Sequence, residues 1–262
     1  MSDYVSYTQI PQYWNLKDGD VVFISSDITN LFLSCKQSGE FFDANKFIDI
    51  IIDIIGPTGT LLFPTYNWDF CRGKVYDYNK ATCKTGYLGS VALSRKDFKR
   101  TKHPIYSFAV TGNHKDYLCS LDNKSSFGYG SPFDYLYKIG AINIIIDVPY
   151  TDCFTYIHYV QEISGIRDCR YMKTFKSGYI NEHGSYSIKE YDMLVRRLQL
   201  NVENHVEGMG KILECNGVSK IMYINGLKFN KVLMHDAFSF IMHDIKENKS
   251  RNLCTFIGQD DD

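Results

Sequence analysis

The chain has no Cys-x-x-Cys pair and no histidine at zinc-ligand spacing near its eight cysteines, Cys35, Cys71, Cys83, Cys119, Cys153, Cys169, Cys215 and Cys254. Thiols scattered in this way through 262 residues point to reduced cysteines that fill the core, and they exclude a zinc module or a small disulfide-stapled scaffold. No metal site is expected. An excess of one charge is also missing: Lys plus Arg number 29 against 30 for Asp plus Glu. Nucleic acid is therefore not an expected partner, and no Lys/Arg cluster marks a membrane surface. No apolar run approaches the roughly 20 residues of a membrane span. Met1-Ser2-Asp3-Tyr4 lacks the basic and apolar parts of a signal peptide. A cytoplasmic globular protein is the expectation.

Aromatic residues are plentiful, with 20 Tyr and 17 Phe. They suit a thick core, a groove that holds rings and sugars, or plain compositional bias. With 44% hydrophobic residues over this length, one domain spanning 1–262 is expected, with a loose polar tail at 248–262.

The most apolar run, Ala141 to Val148, is opened by Gly140 and closed by Pro149, and its β-branched residues predict a buried strand. A helix follows over Cys153 to Glu162. His158 and Glu162 then share one helical face, where a carboxylate can orient an imidazole that acts as a general base. Cys153, close by, is either a nucleophile or a buried inert thiol.

Upstream, Thr8 to Leu16 reads as a short helix and Val21-Val22-Phe23-Ile24 as a strand. Ser25 to Asn30 supplies helix N-caps or a general anion seat, though no glycine-rich cradle accompanies it. Asp43 to Ile55 predicts a helix stopped by Gly56-Pro57. Thr60 to Phe63 is the next strand, and Pro64 to Phe70 leaves it as an aromatic, hydroxyl-rich loop. Strand, helix, strand predicts a parallel pair. Its carboxyl edge would gather Ser25, Ser26, Thr65, Tyr66 and Trp68 with whatever follows the 141–148 strand. Arg100, Lys102 and His103 form a basic cluster, either for phosphate or as a solvated turn. Ser131-Pro132 starts a helix. Farther on, 188–200 reads as either strand or helix, 204–216 as a helix, 221–232 as a hairpin about Asn225-Gly226, and 236–245 as a helix.

Five ordered pieces carry a resemblance: the strand into Ser25-Ser26; Gly59-Thr60-Leu61-Leu62-Phe63-Pro64-Thr65-Tyr66; Arg100-Thr101-x-His103-Pro104-x-x-Ser107-Phe108; Gly128-x-x-Ser131-Pro132; and Thr155-x-x-His158. Over about residues 18 to 240 the chain resembles the aminoglycoside 3-N-acetyltransferase, or antibiotic N-acetyltransferase, family. The resemblance implies an α/β fold, an α/β/α sandwich with a central, mostly parallel sheet. It also implies acetyl-CoA-dependent transfer to an amino group on a sugar. Carried across, His158 is the base and Thr155 lines its pocket, while Ser25, Ser26, Arg100, His103 and Ser107 face the acyl carrier. Thr65, Tyr66 and Trp68 are expected on the substrate side. The family commonly has an acid three positions after the histidine, and here that position is Gln161. Either Glu162 takes its part or an acid from the C-terminal half does so, Asp192 or Glu203.

Aminoglycosides are polycations, whereas this chain is near neutral. A nucleotide-linked amino sugar for surface polysaccharide is therefore the expected acceptor, its diphosphate meeting Arg167, Arg170 or Lys173. The alternatives are an aminoglycoside, with antibiotic resistance as the role, and a non-catalytic CoA- or sugar-binding relative. A homodimer is compatible with either role.

Overall fold

Strand β1 (Val21–Ser26) is paired on both sides, and those pairings set the position of everything at its carboxyl end. The computed structural model describes residues 4–256. A 3-10 helix at Ile10–Trp14 precedes β1, within the stretch expected to be helical. After β1 come α1 (Thr29–Gln37), α2 (Ala44–Ile55), β2 (Thr60–Pro64) and β3 (Tyr76–Asp77). Next are α3 (Tyr87–Ser94), β4 (Lys99–Arg100), β5 (Phe108–Gly112), α4 (Lys115–Ser120) and α5 (Pro132–Lys138). β6 (Ile142–Ile146), α6 (Tyr150–Cys153) and α7 (Tyr156–Ser164) follow, then the long hairpin of β7 (Arg170–Ile180) and β8 (Tyr186–Arg196). The chain continues through β9 (Val202–Asn204), α8 (Glu207–Cys215), β10 (Ser219–Ile224), β11 (Leu227–Leu233), α9 (Met234–Glu247) and β12 (Cys254–Phe256).

The main sheet has seven strands in the order β10-β11-β6-β1-β2-β5-β4. β1 runs parallel to both β2 and β6, with Val21 opposite Thr60 and Val22 opposite Ile142. The strand, helix, strand unit makes that parallel pair. At both edges the pairing turns antiparallel: β2 with β5, β5 with β4, β6 with β11 and β11 with β10. The β10 to β11 link shows why. Asn225 and Gly226 have φ of 53° and 80°, the left-handed pair of a two-residue hairpin turn.

Alternation along the strands divides the core between two helical layers. Val22, Ile24, Leu61, Phe63, Ile142 and Ile144 face α1, α2 and α3, where Trp14, Phe47 and Ile51 are fully buried. Val21, Phe23, Leu62 and Ile145 face α5, α7, α8 and α9. Asp43 caps α2 by accepting from the Asn45 amide at 2.8 Å, and Phe47, Ile48, Ile51 and Ile55 bury its inner face. Each such side chain contributes about 1.5–3 kcal/mol.

Two smaller sheets complete the molecule, β3-β7-β8 and β9-β12. The second corrects the expectation of a loose tail, as far as residue 256. Asp244 accepts hydrogen bonds from the side chains of Asn248 and Asn252 at 2.7 and 2.6 Å, which turns the chain back so that Cys254 to Phe256 pair with Asn204 to Val202. The same fold-back brings the sulfurs of Cys169 and Cys254 into contact, so these two cysteines are paired in space rather than scattered. Residues separated by 85 positions carry no sequence signal of their contact. The rest of the expected tail, 257–262, lies outside the described residues.

Gly112 has a φ of 98°, and a β-carbon there would strike the Gly59 carbonyl across the β2–β5 pair. Gly112→Ala is expected to lower stability by about 2 kcal/mol or more. A denaturant midpoint within error of the parent would contradict the packing described here.

Candidate active site

The parallel centre of the sheet brings three carboxyl ends to one edge. β1 ends at Ser25 and Ser26, β2 at Pro64 with Tyr66 and Trp68 beyond it, and β6 leads through Val148 into α6 and α7. A cavity of about 370 Å³ opens between them, lined by Ser25, Ser26, Tyr66, Thr155 and His158 among others. A second, wider cavity of about 940 Å³ lies against the β7–β8 hairpin and β9, where Arg170, Lys173, Arg196 and Glu203 reach it. Six residues belong to both walls: Trp68, Tyr106, Thr151, Asp152, His158 and Asn204. The two cavities share this wall and so form two halves of one cleft, and His158 lines both.

Helix α7 holds the imidazole there by packing. Tyr156, Tyr159 and Val160 are buried in the core, and His158 turns to the cleft, with Gln161 buried beside it. The ring meets Phe127 edge to face at 5.3 Å between centroids. Gln161 Oε1 lies 2.8 Å from His158 Nδ1. With the amide oxygen turned to the ring, that oxygen can only accept, which assigns the proton to Nδ1 and leaves the Nε2 lone pair free. Burial holds the imidazole well below the usual histidine range, the Arg170 guanidinium pushes the same way, and the Gln161 contact opposes both. His158 is therefore neutral at pH 7, as a general base must be before it acts.

A family model described as aminoglycoside 3-N-acetyltransferase matches residues 34–244. The chain belongs to that family. The SPbeta prophage-derived aminoglycoside N(3')-acetyltransferase-like protein YokD of Bacillus subtilis strain 168 is 23% identical over 275 residues, covering 95% of this chain and 94% of the relative. Among solved structures, aminoglycoside acetyltransferase AAC(3)-Xa superposes with a TM-score of 0.76 at 16% identity, covering 93% of each chain. AAC-IIIb, in a binary complex with CoASH, gives 0.75 at 13% identity over 99% of this chain and 100% of that one. This acetyltransferase is thus an acyltransferase that draws its acetyl group from acetyl-CoA.

Not every residue expected at the site of this acetyltransferase lies there. Glu162 does not touch His158. Its Oε1 accepts from Ser125 at 2.5 Å, and burial raises its carboxyl above the usual range. The helix turns each residue by about 100°, which gives the imidazole to the third position and carries the fourth towards the 125–128 loop. Glu203 lines the wider cavity, whereas Asp192 lies on β8, bonded by Thr174 at 2.6 Å.

Arg100, His103, Ser107 and Thr65 line neither cavity. Arg100 is buried and donates to the Tyr76 hydroxyl at 3.3 Å and the Ala81 carbonyl at 2.5 Å. His103 Nδ1 accepts the Ile105 and Tyr106 amides at 3.3 and 3.2 Å, and burial pushes its pKa down to about 3. Ser107 donates to the Thr65 carbonyl at 2.9 Å, tying the loop after β2 to β5. These four shape the wall from behind. Cys153 lines the smaller cavity, yet burial raises its thiol far above the usual range, with Glu207 and Asp152 adding to the shift. It is a protonated thiol, not a poised nucleophile.

Asn143, Asp152 and Asn204 escaped the sequence reading. Asn143 donates to Ser25 Oγ at 3.3 Å from inside β6, and an asparagine within a run of isoleucines was the available signal. No comparable pattern marks Asp152 or Asn204. Among the described residues, no group of three or more His, Cys, Asp or Glu side chains is arranged to hold a metal, and no helix is long and apolar enough to cross a membrane.

His103 and His158 are neutral when folded but have ordinary pKa values near 6.5 when unfolded. The unfolded chain gains protons that the native state refuses, so stability falls as pH drops below about 6.5. Glu162, with its raised pKa, opposes this more weakly as one group against two. The thermal midpoint is expected to decline from about pH 7 to about pH 5. A flat or rising midpoint would contradict the burial of both rings.

Proposed function

We propose that this chain acetylates the amino group of an amino sugar by direct transfer from acetyl-CoA, with His158 as general base. The observation that carries the reading is that His158 lines both halves of the cleft. A thioester bound in the smaller half and an amine bound in the wider half meet at that ring. The ammonium that dominates near pH 7 first releases one proton to solvent, and as the free amine attacks the acetyl carbonyl, Nε2 takes the second proton from the nitrogen. The tetrahedral intermediate collapses with CoA thiolate as leaving group, and the proton held by His158 is available to it.

Ser25 and Ser26, at the end of β1, line the carrier half. Tyr66, Trp68 and Tyr106 form an aromatic wall, with Tyr66 and Tyr106 4.7 Å apart and Trp68 Nε1 donating to Tyr106 at 3.4 Å. Such a wall suits the faces of a sugar ring. Thr155, at the start of α7, completes the pocket between Tyr66 and His158. The family's name makes an aminoglycoside the first acceptor to test. A nucleotide-linked amino sugar is the alternative within the same chemistry.

His158→Ala is expected to retain acetyl-CoA affinity and lose turnover by about 10²-fold or more, followed as released thiol. Near-normal turnover in this variant would remove the mechanism. Cys153→Ala should remain active, since its protonated thiol has no part in direct transfer. An acetyl group found on Cys153 by mass spectrometry would replace direct transfer with a two-step route.

A further inference from the structure

Three cations converge on the wider half of the cleft. Arg170 is only 8% exposed, and its two terminal nitrogens donate to neutral acceptors, Nη1 to the Leu194 carbonyl at 3.2 Å and Nη2 to Asn204 Oδ1 at 2.5 Å. Arg196 and Lys173 line the same cavity. Among the described residues, none of the three forms an ion pair with a carboxylate. Arg196 is the register partner of Arg170 across the β7–β8 pair; burial pulls the Arg170 pKa down to about 10, Tyr106 opposes that shift, and the charge of Arg196 adds to it.

A buried cation such as Arg170 is costly unless an anion joins it, and the exposed Lys173 and Arg196 beside it add to the positive field that an anion would meet. Arg is also the side chain best shaped to grip phosphate or carboxylate. The acids of the cavity are Asp152 and Glu203. Asp152 belongs to both halves and so lies on the His158 side. A purely polycationic acceptor would meet three like charges against two carboxylates. An acceptor with both signs of charge matches the wall.

We propose that the wider half of the cleft is an anion-binding acceptor site, which takes an amino sugar bearing a phosphate- or carboxylate-class group. The anion lies among Arg170, Lys173 and Arg196, and the amine points towards Asp152 and His158. This rests on the acyl-transfer reading above and narrows its acceptor. The diphosphate of the acyl carrier is a second possible source of the same anionic chemistry, and the test separates the two.

CoA-loaded protein and its Arg196→Gln and Lys173→Gln variants, both altered at exposed positions, are titrated calorimetrically with glucosamine, glucosamine 1-phosphate and gentamicin. The KM for acetyl-CoA is measured on the same proteins. Glucosamine 1-phosphate is expected to bind the parent about 10-fold or more tighter than glucosamine, and each variant should lose most of that advantage with KM for acetyl-CoA unchanged. Equal affinity for the two sugars, or tighter binding of gentamicin, would overturn the proposal. So would a raised KM for acetyl-CoA in the variants, which would make these cations the carrier's seat. Failure of the general-base reading would show instead in His158→Ala and leave these titrations unaffected.

Discussion

The site depends on an imidazole whose nearest polar partner is neutral. Gln161 fixes the His158 tautomer through one hydrogen bond but supplies no charge. Burial and the Arg170 guanidinium then keep the ring unprotonated. A carboxylate in the same place would raise the basicity of the ring and stabilise the imidazolium once it forms. This chain lacks that support on the helix itself. On the proposed mechanism, the transition state therefore draws negative charge from elsewhere in the cleft. An anionic acceptor lying among the cations would supply it, by screening Arg170 from the developing imidazolium at the moment the proton moves. In that account, acceptor recognition and base strength are coupled through a single guanidinium.

The sheet explains why these groups meet. β1 is buried on both faces and paired parallel on both edges, so its end, the end of β2 and the end of β6 share one rim. The antiparallel additions on each side widen the platform without crowding that rim. The β7–β8 hairpin and the small β9–β12 sheet then supply the outer wall. Asn204 joins the two regions, since it lines both cavities and accepts from Arg170.

Much of the central fold was legible in the residues. Apolar runs bounded by glycine and proline marked β1, β2 and β6, and Asp43, Ser131-Pro132 and Asn225-Gly226 marked two helix starts and a hairpin. Local rules decide such features. The placement of His158, Thr155, Tyr66, Trp68, Ser25 and Ser26 on the cleft follows from strand ends, and was equally legible. What was not legible depends on direction. Glu162 and Gln161 are adjacent in sequence, and one helical step sends them to different neighbours. Arg100, His103, Ser107 and Thr65 lie in motif-bearing segments, yet each is turned to the inner side of the wall, where buried backbone and hydroxyl groups claim its hydrogen bonds. The contact of Cys169 with Cys254 and the docking of β12 rest on tertiary pairing across long separations, which no local pattern encodes.

The central claim is that His158 rests as a neutral imidazole with its proton on Nδ1 and its Nε2 open to the cleft. Nitrogen-15 NMR of ring-labelled protein at neutral pH reads this directly, because the two ring nitrogens differ in shift between the tautomers and the cation. The account predicts one neutral ring in the Nδ1–H form, assigned by its loss in His158→Gln. A signal from an imidazolium, or from the Nε2–H tautomer, would contradict it.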